Sequence, residues 1–280
     1  MPDMAYINGR FMPLSQAKIS VEDRGYQFGD GVYELIRTYS GKLFQVEAHL
    51  ERLARSAMAI GLDPVYSQSR WIAILRQIYN RSGFREAKLY IQLTRGVAPR
   101  EHVFPLQSRP TVVVTVRQLI PLSPALRRRG AAVITVPDIR WGRCDIKSIN
   151  LLPNIMARQK AKIQGAYEAI FIRDGLVAEG SSSNVFAVIK GRVVTPPKGP
   201  MILPGITREW VLRLAKEAGL RTAEKEIALQ ELLGAEEVFL TGTTAEVLPV
   251  VKVDGRPVGN GKPGKATRLL CRRFRAHTGG

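Results

Sequence analysis

Lys147 stands in the segment RCDIKSINLL, with apolar neighbours Ile146, Ile149, Leu151 and Leu152. Burial disfavours an ammonium, and a neutral amine can attack an aldehyde to form a Schiff base or carry protons between carbon atoms. The same pattern also suits a lysine that snorkels its charge to water along an apolar stem. Glu179 lies in LVAEGSSSN, where a strand gives way to a turn of one glycine and three serines. Small side chains and open backbone there let a ligand approach closely. A carboxylate so placed could hold a protonated ring nitrogen of pyridine type and keep that ring an electron sink; a solvent-facing turn is the plainer alternative.

Three further segments offer anion chemistry. In LPGITRE the spacing predicts a helix start with Thr207 as N-cap, so the N–H groups around Ile206 and Thr207 and the helix dipole would face an anion such as a phosphate. TGTTAE, from Thr241 to Glu246, adds hydroxyl and backbone donors, and Arg52 could add a charge-assisted contact. An N-cap threonine can also do no more than cap. Arg100 and His102 occupy the proline-bearing loop TRGVAPREHVFP, where polar residues serve either a ligand or solvent.

These residues need elements to position them, and the pattern along the chain supplies α and β in both halves. YINGRF predicts a hairpin turning at Asn8-Gly9, and VYELIRTY-SG-KLFQV a second. In EAHLERLARSAMAIGL, Leu50, Leu53, Ala54, Ala57 and Met58 recur at helical spacing, with Arg52 off that stripe. A further helix near Ser69 to Arg81 and the strands KLYIQLTRG and PTVVVTVRQ complete an α+β unit. Pro121, Pro124 and Arg127 to Gly130 read as a linker. Beyond it come a strand AAVITV, the lysine segment running into a helix, a strand meander turning at Asp174-Gly175 and Lys190-Gly191, and helices from Thr207 to Ala218 and from Pro263 to Arg275. The expected fold class is α+β (mixed α/β), with a small domain over 1–120 and a larger one over 121–280.

The 280 residues, 45% of them hydrophobic, suffice for two ordinary cores. No apolar run approaches the length of a membrane span, and the chain opens without a signal-peptide pattern, so a cytoplasmic protein with two reduced cysteines is expected. The net charge of +18 would attract polyanions. However, the basic residues are scattered, and zinc-finger spacing, RNP aromatics and a basic zipper are all missing. A solvated basic face is therefore expected in place of a nucleic-acid-binding module, and no metal site is expected.

Taken together, the segments resemble the fold-type IV aminotransferases over nearly the whole length. EDRGYQFGDGVYE, from Glu22 to Glu34, is similar to the family's amino-terminal signature, CDIKSINLL to its lysine segment, EGSSSNVF to its carboxylate segment and LPGITR to its phosphate-binding helix start, in the family's order. The resemblance implies two domains with a pyridoxal 5′-phosphate site at their interface. Lys147 becomes the Schiff-base lysine and proton carrier, and Glu179 the partner of the pyridine nitrogen. Arg52, Ile206, Thr207 and Thr243 become phosphate contacts, Ser182 a further cofactor contact, and Leu203 a neighbour of one ring face. TRGVAPREHVF is similar to the loop of the D-amino-acid enzymes, in which an arginine and a histidine work with a tyrosine on the substrate carboxylate; here these are Arg100, His102 and Tyr33. In those relatives the loop serves the other subunit, which implies a homodimer. Branched-chain L-aminotransferases and aminodeoxychorismate lyases share the lysine and phosphate motifs and are the competing readings. One departure stands out: Gly242 occupies a position where close relatives carry a serine.

Overall fold

The computed structural model, which describes residues 3–279, contains two compact units. The first comprises the chain up to Ile120 together with Ile146–Asn150, and the second comprises Pro121–Asp145 and Leu151 onward. A division at 120/121 alone misplaces the lysine segment. Backbone pairing is the cause. The Lys147 carbonyl accepts from Tyr33 N–H at 2.9 Å, Ile149 N–H donates to the Gly31 carbonyl at 3.1 Å, and Lys147 N–H donates to Ser56 Oγ at 3.1 Å.

The first unit begins with the hairpin β1 (Met4–Ile7) and β2 (Arg10–Pro13). Asn8 and Gly9 turn it with φ of 46° and 102°, the positive pair that a two-residue Asn-Gly turn needs. Then follow α1 (Arg24–Phe28), β3 (Gly31–Tyr39), β4 (Lys42–Leu43), α2 (Val46–Ala59), α3 (Gln68–Ser82), β5 (Ala87–Thr94) and β6 (Thr111–Gln118). The six strands form one antiparallel sheet in the order β2-β1-β6-β5-β3-β4. Alternation buries Leu89, Ile91 and Leu93 of β5 on one face. Leu50, Leu53 and Ala57 of α2 and Trp71, Ile74, Leu75 and Ile78 of α3 join them in one core. Each such side chain contributes roughly 1.5–3 kcal/mol by leaving water.

The second unit contains α4 (Pro124–Arg129), β7 (Ala131–Pro137), α5 (Leu152–Ile163), β8 (Glu168–Arg173), β9 (Leu176–Gly180), β10 (Asn184–Ile189) and β11 (Arg192–Thr195). It continues through α6 (Ile206–Glu217), β12 (Thr222–Glu224), α7 (Leu229–Leu233), β13 (Glu237–Gly242), β14 (Glu246–Val253), β15 (Arg256–Pro257) and α8 (Lys265–Thr278). Its nine-stranded sheet runs β12-β11-β10-β13-β14-β7-β8-β9, with β15 added to β14. The parallel neighbours β7/β8 and β11/β12 are joined through α5 and α6, as a parallel pair requires a crossover. The stretch from Pro121 to Gly130, expected as a linker, is largely the helix α4. Ser123 caps it by accepting from Leu126 N–H at 3.1 Å, and Arg127 forms an ion pair with Glu246.

Part of the basic composition is internal and not a solvated face. Arg24, Arg52, Arg95, Arg140 and Arg208 are all buried, and each pairs with a carboxylate. A guanidinium out of water requires such partners, because an unpaired buried charge is costly.

Gly96 starts the loop after β5 at φ +98°, and a Cβ there would lie 2.0 Å from the Arg109 carbonyl oxygen. Gly96→Ala is therefore expected to destabilise the protein by about 3 kcal/mol, combining backbone strain with the clash. Urea denaturation would measure this; a loss below ~0.5 kcal/mol would refute the requirement for glycine.

Candidate active site

In the first unit the chemistry gathers on one polar stripe of α2. His49, Arg52 and Ser56 stand three and four residues apart and share a face. Ser56 supports the lysine segment, while His49 and Arg52 meet Glu34 of β3. Arg52 donates from Nε to Glu34 Oε1 at 2.7 Å and from Nη2 to Oε2 at 3.0 Å, a bidentate pair. His49 Nδ1 lies 2.6 Å from Glu34 Oε2. Glu34 is fully buried, and burial alone would raise its pKa. The Arg52 guanidinium and then His49 outweigh that and hold the carboxyl well below its usual range. An ionised carboxylate only accepts, so His49 Nδ1 is the donor. Burial also lowers the pKa of His49, against the pull of Glu34. The Lys147 Nζ sits 4.2 Å from the centroid of the Tyr33 ring. Lys147 is half-buried, between the apolar setting and the snorkelling alternatives.

Tyr33 and the pair Arg100 and His102 make separate contacts in this chain. Tyr33 packs against Tyr90 at 5.5 Å and faces Lys147. Arg100 and His102 are exposed and rest on the ring of Phe28.

In the second unit the site is organised by Glu179, buried at the end of β9. Its Oε1 pairs with Arg140, and its Oε2 accepts from Leu203 N–H at 3.0 Å and from Asn184 Nδ2 at 3.2 Å. The Leu203 backbone thus braces the carboxylate. Arg140 is anchored in turn by Asp138 at 2.9 Å and by the face of Phe171 at 4.3 Å. Asp138 would be raised by burial, but Arg140 holds it low. The glycine–serine turn is tied down by Glu168, which accepts from Ser182 N–H at 2.6 Å, Ser182 Oγ at 3.0 Å and Ser181 Oγ at 3.2 Å. Burial pushes the Glu168 carboxyl up, partly offset by Arg158 at 3.3 Å.

The helix start corrects one expectation. α6 is N-capped by Gly205, with no side-chain cap, and Thr207 is its second residue. A Cβ at 205 would fall 2.0 Å from Asn184 Oδ1, which selects glycine over threonine or serine at that cap. The first N–H groups of α6 are therefore left for an external acceptor. Across β10 and β13, Thr241 pairs with Asn184, and both Ser183 Oγ and Thr241 Oγ1 are buried without a hydrogen-bond partner. An uncapped helix start fits an anion such as a phosphate, and it lies against Asn184, the strand partner of Thr241. Thr243 lies in the turn from β13 to β14. At Gly242 a Cβ would meet Ser182 O at 3.5 Å and Ser183 Cβ at 3.8 Å, ordinary contacts, so space does not dictate the glycine.

The sequence singled out Lys147, Glu179 and Arg52 but not Glu34 and His49, which pack with Arg52, nor Arg140 and Asn184, which bond Glu179. The spacing of His49, Arg52 and Ser56 was a usable signal, since three polar residues on one helix face need polar company. Arg140 and Asn184 gave none.

A carboxylate held below its usual range stabilises the fold above its unfolded pKa, near 4.3 for glutamate, and that contribution is lost as pH falls toward the folded value. Glu34→Gln is expected to cost roughly 3–5 kcal/mol at pH 7, because Arg52 stays buried without its counter-charge. The variant should also lose less stability than the parent between pH 5 and 3. Parallel urea titrations at the two ends would show this, and equal pH slopes would exclude the assigned role.

A family model for amino-transferase class IV matches residues 31–253. The D-alanine aminotransferase of Bacillus licheniformis is 47% identical over 263 residues, covering 93% of this chain and 92% of that protein. The D-alanine aminotransferase of Staphylococcus haemolyticus is 44% identical over 269 residues, covering 96% and 95%. Among solved structures, the branched-chain amino acid aminotransferase of Escherichia coli superposes with a TM-score of 0.92 at 26% identity, covering 99% of this chain and 94% of that one. The branched-chain aminotransferase of the thermophilic archaeon Thermoproteus uzoniensis, solved with norvaline, gives 0.88 at 29% identity, covering 98% and 94%. A lysine pinned to β3, a braced carboxylate and an uncapped helix start thus occur in a chain that belongs to the class IV aminotransferases.

Proposed function

We propose that the protein is a D-amino-acid transaminase that moves the amino group of a D-amino acid such as D-alanine to 2-oxoglutarate, with pyridoxal 5′-phosphate as cofactor. The observation that carries this reading is Lys147, fixed by backbone pairing to β3 with its Nζ over Tyr33. The identity to D-alanine aminotransferases over most of the chain supports the choice of substrate.

When bound, pyridoxal phosphate supplies the electron sink that lets an amino acid release its α-proton. Lys147 Nζ takes that proton and returns it on the other side of the reaction, as a positioned amine can. Glu179, aligned by Arg140, Asn184 and Leu203 N–H, would hold the pyridine nitrogen of the cofactor in its protonated form. The α6 start at Ile206 and Thr207, with Thr243, Ser182 and Arg52, would supply the phosphate contacts, and Leu203 would neighbour the ring. Glu34 and His49 fix the Arg52 guanidinium.

Tyr33, Arg100 and His102 hold the substrate carboxylate, and the side on which they hold it determines which hydrogen faces Lys147. The resemblance to the D-amino-acid enzymes assigns the arginine and histidine to the partner's site in a homodimer, and in this chain they contact Phe28 while Tyr33 faces Lys147. Exposed apolar residues support a second copy: Val103 at 76%, Leu106 at 103%, and Leu152, Ile155 and Ile163 on α5 at 61–76%. Two free cysteines, Cys144 and Cys271, fit a cytoplasmic setting. Among the described residues, no helix is long and apolar enough to cross a membrane. A branched-chain L-amino-acid aminotransferase is the second reading, because structures with that activity share the fold.

D-Alanine and 2-oxoglutarate should yield pyruvate and D-glutamate, with L-leucine turned over far more slowly. A preference for L-leucine would establish the second reading. Arg100→Lys should lower kcat/KM for D-alanine roughly ten- to hundredfold, the worth of one charged hydrogen bond, while cofactor content stays unchanged. Unchanged D-alanine kinetics would remove Arg100 from the site.

A further inference from the structure

Arg100 and His102 are exposed on a loop, yet both are held from below by one ring. The Arg100 guanidinium lies 4.7 Å from the Phe28 centroid, and the His102 ring lies 5.6 Å from it with a tilt of 50°. Phe28 is the last residue of α1, a helix that Asp23 caps by accepting from Gly25 N–H at 2.8 Å. Arg24, on the same helix, also lies against that ring at 4.8 Å and donates to the carbonyls of Glu101 and Val103, the residues on either side of His102. Asp30 then ties Arg24 to Arg95, each at 2.8 Å. Arg95 donates to the Ile60 and Gly61 carbonyls and covers Phe104 at 3.6 Å. Burial would raise the Asp30 pKa, but Arg95 and Arg24 hold it low. The backbone of the loop is thus clamped by buried charge, and its two functional side chains are clamped by an aromatic face.

We propose that Phe28 is a positioning residue for the substrate carboxylate, pre-ordering Arg100 and His102 as one anion-binding pair. This rests on the assignment of those two residues to the carboxylate. Stacking uses the face of a guanidinium and leaves its N–H edge free for a bidentate contact. A long side chain ordered before binding does not have to be ordered by the substrate, so affinity rises without any new contact. Phe28 itself touches no reacting atom.

The test uses the cofactor-loaded enzyme in five forms: parent, Phe28→Leu, Phe28→Tyr, Arg100→Ala and the double variant of Phe28→Leu and Arg100→Ala. Calorimetry gives Kd for propionate, the alanine skeleton without its amino group, and kinetics give kcat and KM for D-alanine. Phe28→Leu should raise both Kd and KM about tenfold with kcat little changed. Phe28→Tyr, which keeps the ring, should match the parent, and Phe28→Leu should add nothing in the Arg100→Ala background. If Arg100→Ala weakens propionate but Phe28→Leu does not, the positioning role falls and the carboxylate assignment stands. If Phe28→Leu acts equally in both backgrounds, Phe28 works elsewhere and the proposal also falls. If Arg100→Ala leaves Kd and KM unchanged, the carboxylate assignment fails and takes the proposal with it.

Discussion

The site depends on a strand pairing that joins residues more than a hundred positions apart. Lys147 is anchored because its carbonyl, the N–H two residues on and its own N–H are all claimed, by Tyr33, Gly31 and Ser56. Two of these are backbone–backbone bonds and the third ends on a hydroxyl, in a partly buried setting where an unmade bond costs more than a made one gains. The lysine therefore cannot slide along β3 without orphaning several groups. Everything in the first unit that bears on it, Tyr33, Glu34, His49 and Arg52, sits on that strand or on the helix packed over it.

Around this frame both units use one device, a buried carboxylate shared with arginine. Glu34 fixes Arg52, Asp30 fixes Arg24 and Arg95, and Asp138 fixes Arg140, which aligns Glu179. Each pair gives up hydration, and charge-assisted hydrogen bonds with two-pronged geometry compensate. The return is direction: a guanidinium held on one edge presents the other in a defined plane. A share of the strongly basic composition is thereby explained as internal scaffolding of functional groups.

The sequence made the local parts legible and the long-range parts obscure. Turn chemistry at Asn8-Gly9 and Asp174-Gly175, and apolar spacing in α2, depend only on near neighbours, and the structure has these elements close to where the pattern puts them. The helix start at 206 was readable, but its cap was not. Glycine wins there because Asn184 Oδ1 stands 2.0 Å from where a Cβ would go, a contact made across the fold. The same holds for α4, whose prolines and arginines read as a linker until Glu246 supplies a partner for Arg127. Glu34 was visible as the last letter of a motif and not as the counter-charge of Arg52, because strand β3 and helix α2 meet only in three dimensions.

The most direct test is to reduce the purified, cofactor-loaded protein with borohydride and map its peptides by mass. Borohydride fixes pyridoxal phosphate to the lysine it has joined. The expected result is a single phosphopyridoxyl adduct on the peptide containing Lys147, absent after prior exposure to excess D-alanine. An adduct on another lysine, or none at all, would contradict the role given to Lys147 and with it the reading of the site.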